Sequence, residues 1–539
     1  MQKLLLLGDE AIAQGAIDAG LSGIYAYPGT PSTEILEYVE HSKAVHEKGI
    51  KHQWAANEKT ALEMAIGVSY AGKRSMACMK HVGLNVAADA FMNSAITGAN
   101  GGLIVVAADD PSMHSSQNEQ DSRYYGKFAQ IPVFEPSSQQ EAYDMVHYAF
   151  DFSEKYSIPV LFRITTRLAH SRAGVQLKNE KQQNEGRLPQ NLRQYVLLPA
   201  IARKQYKDLL HKQALFEEES EISGFNTYRD GKNKTLGIIA CGLTYNYLME
   251  NYSENELDFP VLKISQYPLP SRFVEKIYNE CEEILILEDG YPMVEESLRG
   301  FLNHGKKIHG RLSGAIPRDG ELNANLVASA LQLQDNSGSN PPEFMVNRPP
   351  SFCAGCSHID SYTALNAALE AYSQGRVMSD IGCYTLAALP PFHTINSCVD
   401  MGASITMAKG IADAGIVPAV AVIGDSTFTH SGITGLLDAV NANSPITVVI
   451  LDNSTTGMTG GQPSAGLGKL EDICKGVGVD EKHIRVINPI RKYHEENVNV
   501  FKEELSFQGV SVIIPRRECI QTLNRRLKEK SKEKESLQS

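Results

Sequence analysis

The sequence predicts an α/β protein made of three α/β domains with mostly parallel sheets. Short apolar runs of strand length alternate along the chain with segments of helical spacing, the pattern of parallel sheets covered by helices. At 539 residues the chain is too long for one hydrophobic core. Polar stretches at 176–234 and 334–350 interrupt the apolar pattern and mark linkers.

Residues 1–175 form the first domain. Lys3–Leu7 reads as a strand and Glu10–Ala19 as a helix. Ile24–Tyr27 is a strand that runs into the turn Pro28-Gly29-Thr30-Pro31-Ser32, after which Ser32 or Thr33 caps a helix with Glu34 in its first turn. A helix over Glu58–Ala71 and strands at Ser75–Met79, Gly102–Ala107 and Val160–Ile164 continue the alternation. Asp109–Tyr125 is a polar loop of a length that is uncommon unless functional. Residues 176–234 read as a linker carrying a solvated helix near Ala200–Phe216. Residues 235–333 form a smaller domain with strands Leu236–Cys241, Val261–Ile264 and Ile284–Leu287, the last ending in Glu288-Asp289. After the linker at 334–350, residues 351–515 make the third domain, and 516–539 read as a basic, disordered tail.

Composition excludes some functions. Hydrophobic content of 42% and charge of 21% are ordinary globular values. A net charge of −12 argues against a general nucleic-acid surface. The opening MQKLLLLGDEAIAQG is too short and wrongly flanked for a signal peptide, and no later run is suited to span a bilayer, so the expected location is cytoplasmic. Apart from Cys353 and Cys356 the nine cysteines are scattered, as reduced thiols are, and no tight four-cysteine run of the iron–sulfur type occurs.

The third domain contains the most informative stretch, Val422–Pro463. Strands Val417–Ile423 and Ile446–Leu451 flank a helix over Ser431–Asn441, and they end in Gly424-Asp425-Ser426 and Asp452-Asn453-Ser454. Open α/β sheets place ligands at such carboxyl ends. Asp425 offers a carboxylate oxygen and Asn453 an amide oxygen, a donor set for a hard cation such as Mg²⁺ on a diphosphate. Three small-residue turns accompany it: Cys353-Ala354-Gly355-Cys356-Ser357-His358, Gly382-Cys383-Tyr384 and Gly402-Ala403-Ser404. The first is half of a zinc site, a redox pair or a turn whose N–H groups seat an anion. The lack of a second C-x-x-C disfavours zinc. Glu58 opens its helix; by position alone it is either a dipole-stabilised carboxylate or a functional acid.

The motifs YPGTPSTE (27–34), NEKTALE (57–63), MKHVGLN (79–85), DDPSMHSSQNEQDSRYYGKFAQIPVFEPSS (109–138), CAGCSH (353–358), DIGCYTLAALPP (380–391), MGASI (401–405) and GDSTFTHSGI (424–433) occur together and in order. This pattern resembles the large subunit of indolepyruvate:ferredoxin oxidoreductase, a member of the thiamine-diphosphate-dependent 2-oxoacid:ferredoxin oxidoreductases. The resemblance implies a thiamine-diphosphate-binding fold, with 1–175 as pyrimidine domain, 235–333 as transketolase C-terminal-like domain and 351–515 as diphosphate domain. It implies that Glu58 hydrogen-bonds the aminopyrimidine and favours the tautomer that deprotonates C2. Gly355, Cys356, Ser357, His358, Gly382, Cys383, Gly402, Gly424, Asp425, Ser426 and Asn453 would surround the cofactor. Asp425, Asn453 and the Thr455 carbonyl would hold Mg²⁺. Thr30 would approach the substrate, and Arg123 would bind its carboxylate. His81, His114 and His170 are read as core or surface histidines ahead of pocket residues.

Relatives of this type continue into a ferredoxin-like module with closely spaced cysteines. Here Arg516-Arg517-Glu518-Cys519 leads into a Lys-rich segment without cysteine. The expectation is therefore that this chain holds no [4Fe–4S] cluster. It would oxidatively decarboxylate an arylpyruvate to an acyl-CoA, with coenzyme A as co-substrate, and pass electrons to an external acceptor. A small second subunit in a homodimer or heterotetramer would complete it, without nucleic acid or membrane. A non-oxidative decarboxylase or carboligase, and a catalytically silent assembly subunit, are the alternatives.

Overall fold

A computed structural model describes the chain except residues 1–2, 192–193, 253–256, 301–304, 318–319, 334–344, 346–350, 399–400, 414–415 and 537–539. It divides into two compact units, residues 1–340 and 341–539. The expected linker at 334–350 lies outside the described residues apart from Met345.

The first unit contains a seven-stranded sheet in the order Gln266–Tyr267, Val133–Phe134, Val160–Thr165, Leu103–Asp109, Ser75–Lys80, Gly23–Ala26, Lys51–Trp54. All neighbours are parallel except the first pair. Leu103–Asp109 and Val160–Thr165 are buried along their whole length, which is why they read as continuous apolar runs rather than alternating ones. A five-stranded sheet follows, in the order Ile308–His309, Glu283–Leu287, Leu236–Cys241, Val261–Ile264, Thr227–Arg229, with only the last strand antiparallel.

These two sheets belong to one compact unit for two reasons. Gln266–Tyr267, from the second α/β region, adds to the edge of the first sheet. Beneath it lies a buried ion network: Arg163 pairs with Asp109 at 2.6 Å and with Glu135, and donates to the Asp289 carbonyl at 2.9 Å. Glu288 and Asp289, at the end of the strand Glu283–Leu287, are thus buried cross-links.

The expected solvated helix is also corrected. It spans Pro199–Ile222 and docks through buried Leu209 and Phe216, the latter packed on Phe152 and Tyr156. Its Glu219 accepts hydrogen bonds from Tyr148 and Tyr156. A thin apolar stripe among many charges hid this docking in the sequence.

The second unit holds a five-stranded, wholly parallel sheet ordered Val377–Ser379, Ala419–Gly424, Ile446–Leu451, Ser511–Pro515, Ile484–Ile487. One apolar layer includes Ile405, Phe428 and Leu436, and another includes Tyr362, Leu365 and Phe501. The tail expected to be disordered instead forms a helix over Ile520–Ser536. Its base is anchored by Arg516 on Asp452 and Glu471, and by the Cys519 N–H donating to the Asn453 carbonyl. No helix among the described residues is long and apolar enough to cross a membrane.

Candidate functional site

In the second unit Gly424 pairs in parallel register with Leu451, so Asp425 and Asp452-Asn453 emerge side by side at the carboxyl ends of neighbouring strands. The chain after Gly424 turns directly into helix at Asp425–Thr427 and reaches Ile433–Asn441 through a π-turn, so the helix begins earlier than its apolar spacing suggests. Asp425 is 3% exposed, and its Oδ1 accepts from the Ser426 N–H at 2.8 Å. Its Oδ2 is buried without a hydrogen-bond partner. Burial, and then the nearby Asp452, raises the Asp425 pKa to about 7. Asn453 is buried; its Oδ1 accepts from the Thr455 N–H at 3.1 Å, and its Nδ2 stands 3.4 Å from His358 Nε2. Burial holds the His358 pKa near 4, so the ring is a neutral acceptor that orients the amide. An orphaned carboxylate oxygen beside an oriented amide oxygen fits a hard divalent cation.

The glycine turns serve more local purposes than anion seats. A Cβ on Gly382 would stand 2.2 Å from the Tyr384 ring and one on Gly424 2.7 Å from it, so both glycines make room for that buried side chain. The Tyr384 hydroxyl donates to Asp380, whose Oδ2 accepts from the Ser404 hydroxyl at 2.5 Å and from its N–H at 3.3 Å. Gly402 has φ +96° and packs against Ser431. Asp380, which the sequence reading did not single out, thus ties two of the turns together. Gly355, at φ +78°, faces open space before Cys356 and Ser357 lead into the helix Ser357–Leu369.

Sequence reading also missed a convergence of thiols. Cys383 is pushed up to about 12 by burial, then by Cys356, Cys519 and Cys353. Burial likewise raises Cys356, with Cys353 and Cys519 adding to it. Cys519, expected as an isolated thiol, therefore joins three cysteines that lie more than a hundred residues upstream. A Cβ on Gly457 would stand 3.2 Å from Cys383 Sγ and 3.9 Å from Asn453 Nδ2, so Cys383 and the Asn453 side chain flank the same glycine. Among the described residues, no three of these sulfurs lie within 4.8 Å of one another.

The first unit holds the other predicted residues. Glu58 is 5% exposed and starts the helix Glu58–Tyr70, whose Asn57 cap accepts from the Thr60 N–H at 2.9 Å. A Cβ on Gly83 would stand 2.5 Å from Glu58 Oε1, so that glycine creates the space the carboxylate occupies. Thr30 is half-buried, and its carbonyl accepts from the Ser115 hydroxyl at 3.4 Å. Lys80 packs against Gly29 of the same turn and donates to the Ser115 carbonyl at 2.7 Å. Burial lowers Lys80 to about 8 and, with Lys80 beside it, lowers His81 to about 4. The polar loop is held over this corner by Asp110, which accepts from Ser115, Ser116 and Thr166.

Arg123 does not serve as expected. It is 1% exposed, and its guanidinium is taken by Asp121 at 2.5 Å, Glu288 at 3.0 Å, Tyr267 at 3.2 Å and the Tyr291 carbonyl at 2.9 Å. No donor is left to meet a substrate carboxylate. The residue belongs to the network that joins the two sheets.

Comparison with known proteins gives the family. Residues 14–223 match the family "Pyruvate flavodoxin/ferredoxin oxidoreductase, thiamine diP-bdg", and residues 380–512 match "Thiamine pyrophosphate enzyme, C-terminal TPP binding domain". The chain is 40% identical to the indolepyruvate oxidoreductase subunit IorA of Archaeoglobus fulgidus, over 96% of this chain and 86% of the relative. It is 38% identical to that of Pyrococcus horikoshii, with the same coverage. For Methanothermobacter thermautotrophicus the identity is 36%, over 96% of this chain and 87% of the relative. A solved 2-oxoglutarate:ferredoxin oxidoreductase from Magnetococcus marinus aligns at 17% identity and a TM-score of 0.47, over 57% of this chain and 61% of that one. The chain belongs to the indolepyruvate oxidoreductase IorA family, thiamine-diphosphate-dependent enzymes that oxidatively decarboxylate 2-oxo acids.

Proposed function

We propose that the substrate is an arylpyruvate of the indolepyruvate type, converted with coenzyme A to an acyl-CoA, and that the electrons leave through an iron–sulfur cluster held by Cys353, Cys356, Cys383 and Cys519. The mutual influence of these four thiols, with Cys383 beside Gly457 and the Cys519 N–H on the Asn453 carbonyl, supports the oxidative reading. It replaces the expectation that the chain lacks cluster ligands. The substrate class and coenzyme A rest on the similarity to relatives named for indolepyruvate.

Bound thiamine diphosphate supplies the electron sink for decarboxylation. Asp425 and Asn453, with the Thr455 carbonyl, would hold Mg²⁺ for its diphosphate, Asp425 as the carboxylate. Glu58 would hydrogen-bond the pyrimidine ring. Thr30 faces the substrate, and Lys80 takes the carboxylate-binding part that Arg123 cannot play. Cys353, Cys356, Cys383 and Cys519 would hold such a cluster as thiolates, and its iron would supply one-electron acceptance. The nine cysteines are unbridged, which fits a reducing cytoplasmic setting. A small second subunit and a soluble electron acceptor complete the assembly, in a homodimer or heterotetramer.

The test supplies the purified, anaerobically prepared chain, alone and with its small partner, with indolepyruvate, thiamine diphosphate and Mg²⁺. Aldehyde, acyl-CoA, dye reduction and bound iron are assayed separately. CoA-dependent dye reduction with iron retained is expected. Aldehyde release that needs neither CoA nor acceptor overturns the oxidative reading in favour of a simple decarboxylase.

A further inference from the structure

Asp9 is 0% exposed, and neither of its carboxylate oxygens has a hydrogen-bond partner. It is the second residue of the helix Gly8–Asp18. Gly8 brings that helix start very close to another segment: a Cβ there would stand 2.2 Å from the Leu168 carbonyl, in the helix Thr166–His170. Glu34, second residue of the helix Thr33–His41, has a buried Oε2 that is also without a partner. Its Oε1 stands 3.6 Å from His170 Nε2. One donor atom each from Asp9, Glu34 and His170 lie within 4.8 Å of one another.

Among the described residues His170 is the one basic group that meets this pocket; it pairs with Glu34 and leaves Asp9 without a cationic partner. Burial raises the Asp9 pKa well above the carboxylate range, and the charges that act on it, Glu34 and Glu10, are both negative. Arg172 pairs with Glu10 at 3.6 Å. Helix N-termini favour Asp9 and Glu34 as carboxylates, yet they leave three buried oxygens unpaired. A proton shared between the two acids needs a hydrogen-bonded oxygen pair, and Asp9 makes none. Buried carboxyl oxygens without a hydrogen-bond partner call for one, and a coordinated metal would supply it while taking the group as carboxylate.

We infer that Asp9, Glu34 and His170 bind one divalent first-row transition ion of the zinc type, which fastens two helix starts to the end of a third. Two carboxylates and an imidazole are hard-to-borderline donors. The imidazole selects against Mg²⁺ and Ca²⁺, which prefer oxygens alone. His170 is 36% exposed at its side chain, so the site has an edge through which water supplies a fourth ligand. Glu34 follows Thr30 by four residues, so the ion would brace the turn that carries Thr30. The site stands whether or not Thr30 meets the substrate.

The full-length protein, stripped with EDTA, is titrated with Zn²⁺ and separately with Mg²⁺, beside Asp9→Asn and His170→Gln. Because the thiols also take zinc, the titration is repeated with Co²⁺, whose visible spectrum separates nitrogen and oxygen ligation from thiolate. Wild type is expected to bind about one equivalent more Zn²⁺ and Co²⁺ than either variant, the extra cobalt showing no thiolate band. Loss of a ligand should cost more than the roughly 10–100-fold affinity loss that follows removal of an outer partner. Zinc should raise the melting temperature of wild type alone. Equal uptake and equal zinc stabilisation in all three proteins overturns the site, as does Mg²⁺ binding that is indifferent to His170. If Asp9→Asn fails to fold, His170→Gln, at the exposed edge, decides the matter alone.

Discussion

Glu58 occupies space that exists because residue 83 is glycine: a Cβ there would lie 2.5 Å from Oε1 and 2.6 Å from Cγ of the carboxylate. The acid and the glycine come from different motifs, NEKTALE and MKHVGLN, and tertiary packing makes them one feature.

Glu58→Gln should leave thiamine diphosphate binding nearly intact and slow C2–H exchange by roughly 10²–10⁴-fold. Gly83→Ala should lower exchange as well, by displacing the carboxylate while keeping it chemically present. NMR exchange of the bound cofactor measures both. Unchanged exchange in Glu58→Gln removes that residue from the reaction.

Asp425 carries a sign that can be checked in the cofactor-free protein. Its folded pKa, about 7, lies above the ordinary carboxyl value of 3.8. The stabilising effect is therefore complete below pH 4 and is lost as pH rises through 7, because the unfolded chain gives up this proton first. Asp425→Asn should make the cofactor-free fold more stable at pH 8, by on the order of a few kcal/mol. The same variant should weaken Mg²⁺-dependent cofactor affinity. Wild-type affinity should climb between pH 5 and 7 as Mg²⁺ displaces the proton. Denaturation curves with and without Mg²⁺ at several pH values test both halves.

Arg123 and Lys80 separate structure from substrate binding. Arg123→Met leaves Glu288 buried without its cation and Asp121 with Arg163 alone, and should destabilise the first unit by roughly 3–5 kcal/mol. Urea unfolding measures this. A variant that is fully stable but has a raised KM would restore Arg123 as a substrate residue. Lys80→Met should behave oppositely, keeping the fold and raising KM for the 2-oxo acid by roughly 10-fold or more, as loss of a charged hydrogen bond does.

Cys383→Ser should remove bound iron and dye reduction while C2–H exchange continues, since Glu58 and Asp425 are untouched. Parallel loss of exchange would mean that the thiol serves the cofactor pocket itself.

Much of this was legible before any coordinates. Strands buried on both faces appear as unbroken apolar runs, so Leu103–Asp109, Val160–Thr165 and Ile446–Leu451 stand near where the sequence puts them. Asp425 and Asn453 were legible because their positions just past two strand ends are local facts of the chain. Contacts between distant segments were not. The pairing of Gln266–Tyr267 with Val133–Phe134, the docking of Pro199–Ile222 and the helix at Ile520–Ser536 depend on partners that no window of sequence contains.

The sequence by itself determined the family, the parallel sheets and the residues at the strand ends, because periodicity and motif order are carried by neighbours along the chain. Only the tertiary structure decided that Arg123 is a buried cross-link, that Cys519 joins three remote thiols, and that Asp9 meets Glu34 and His170. Each of these is an electrostatic relationship across space. Its strength depends on distance and burial, and neither is written in the order of residues.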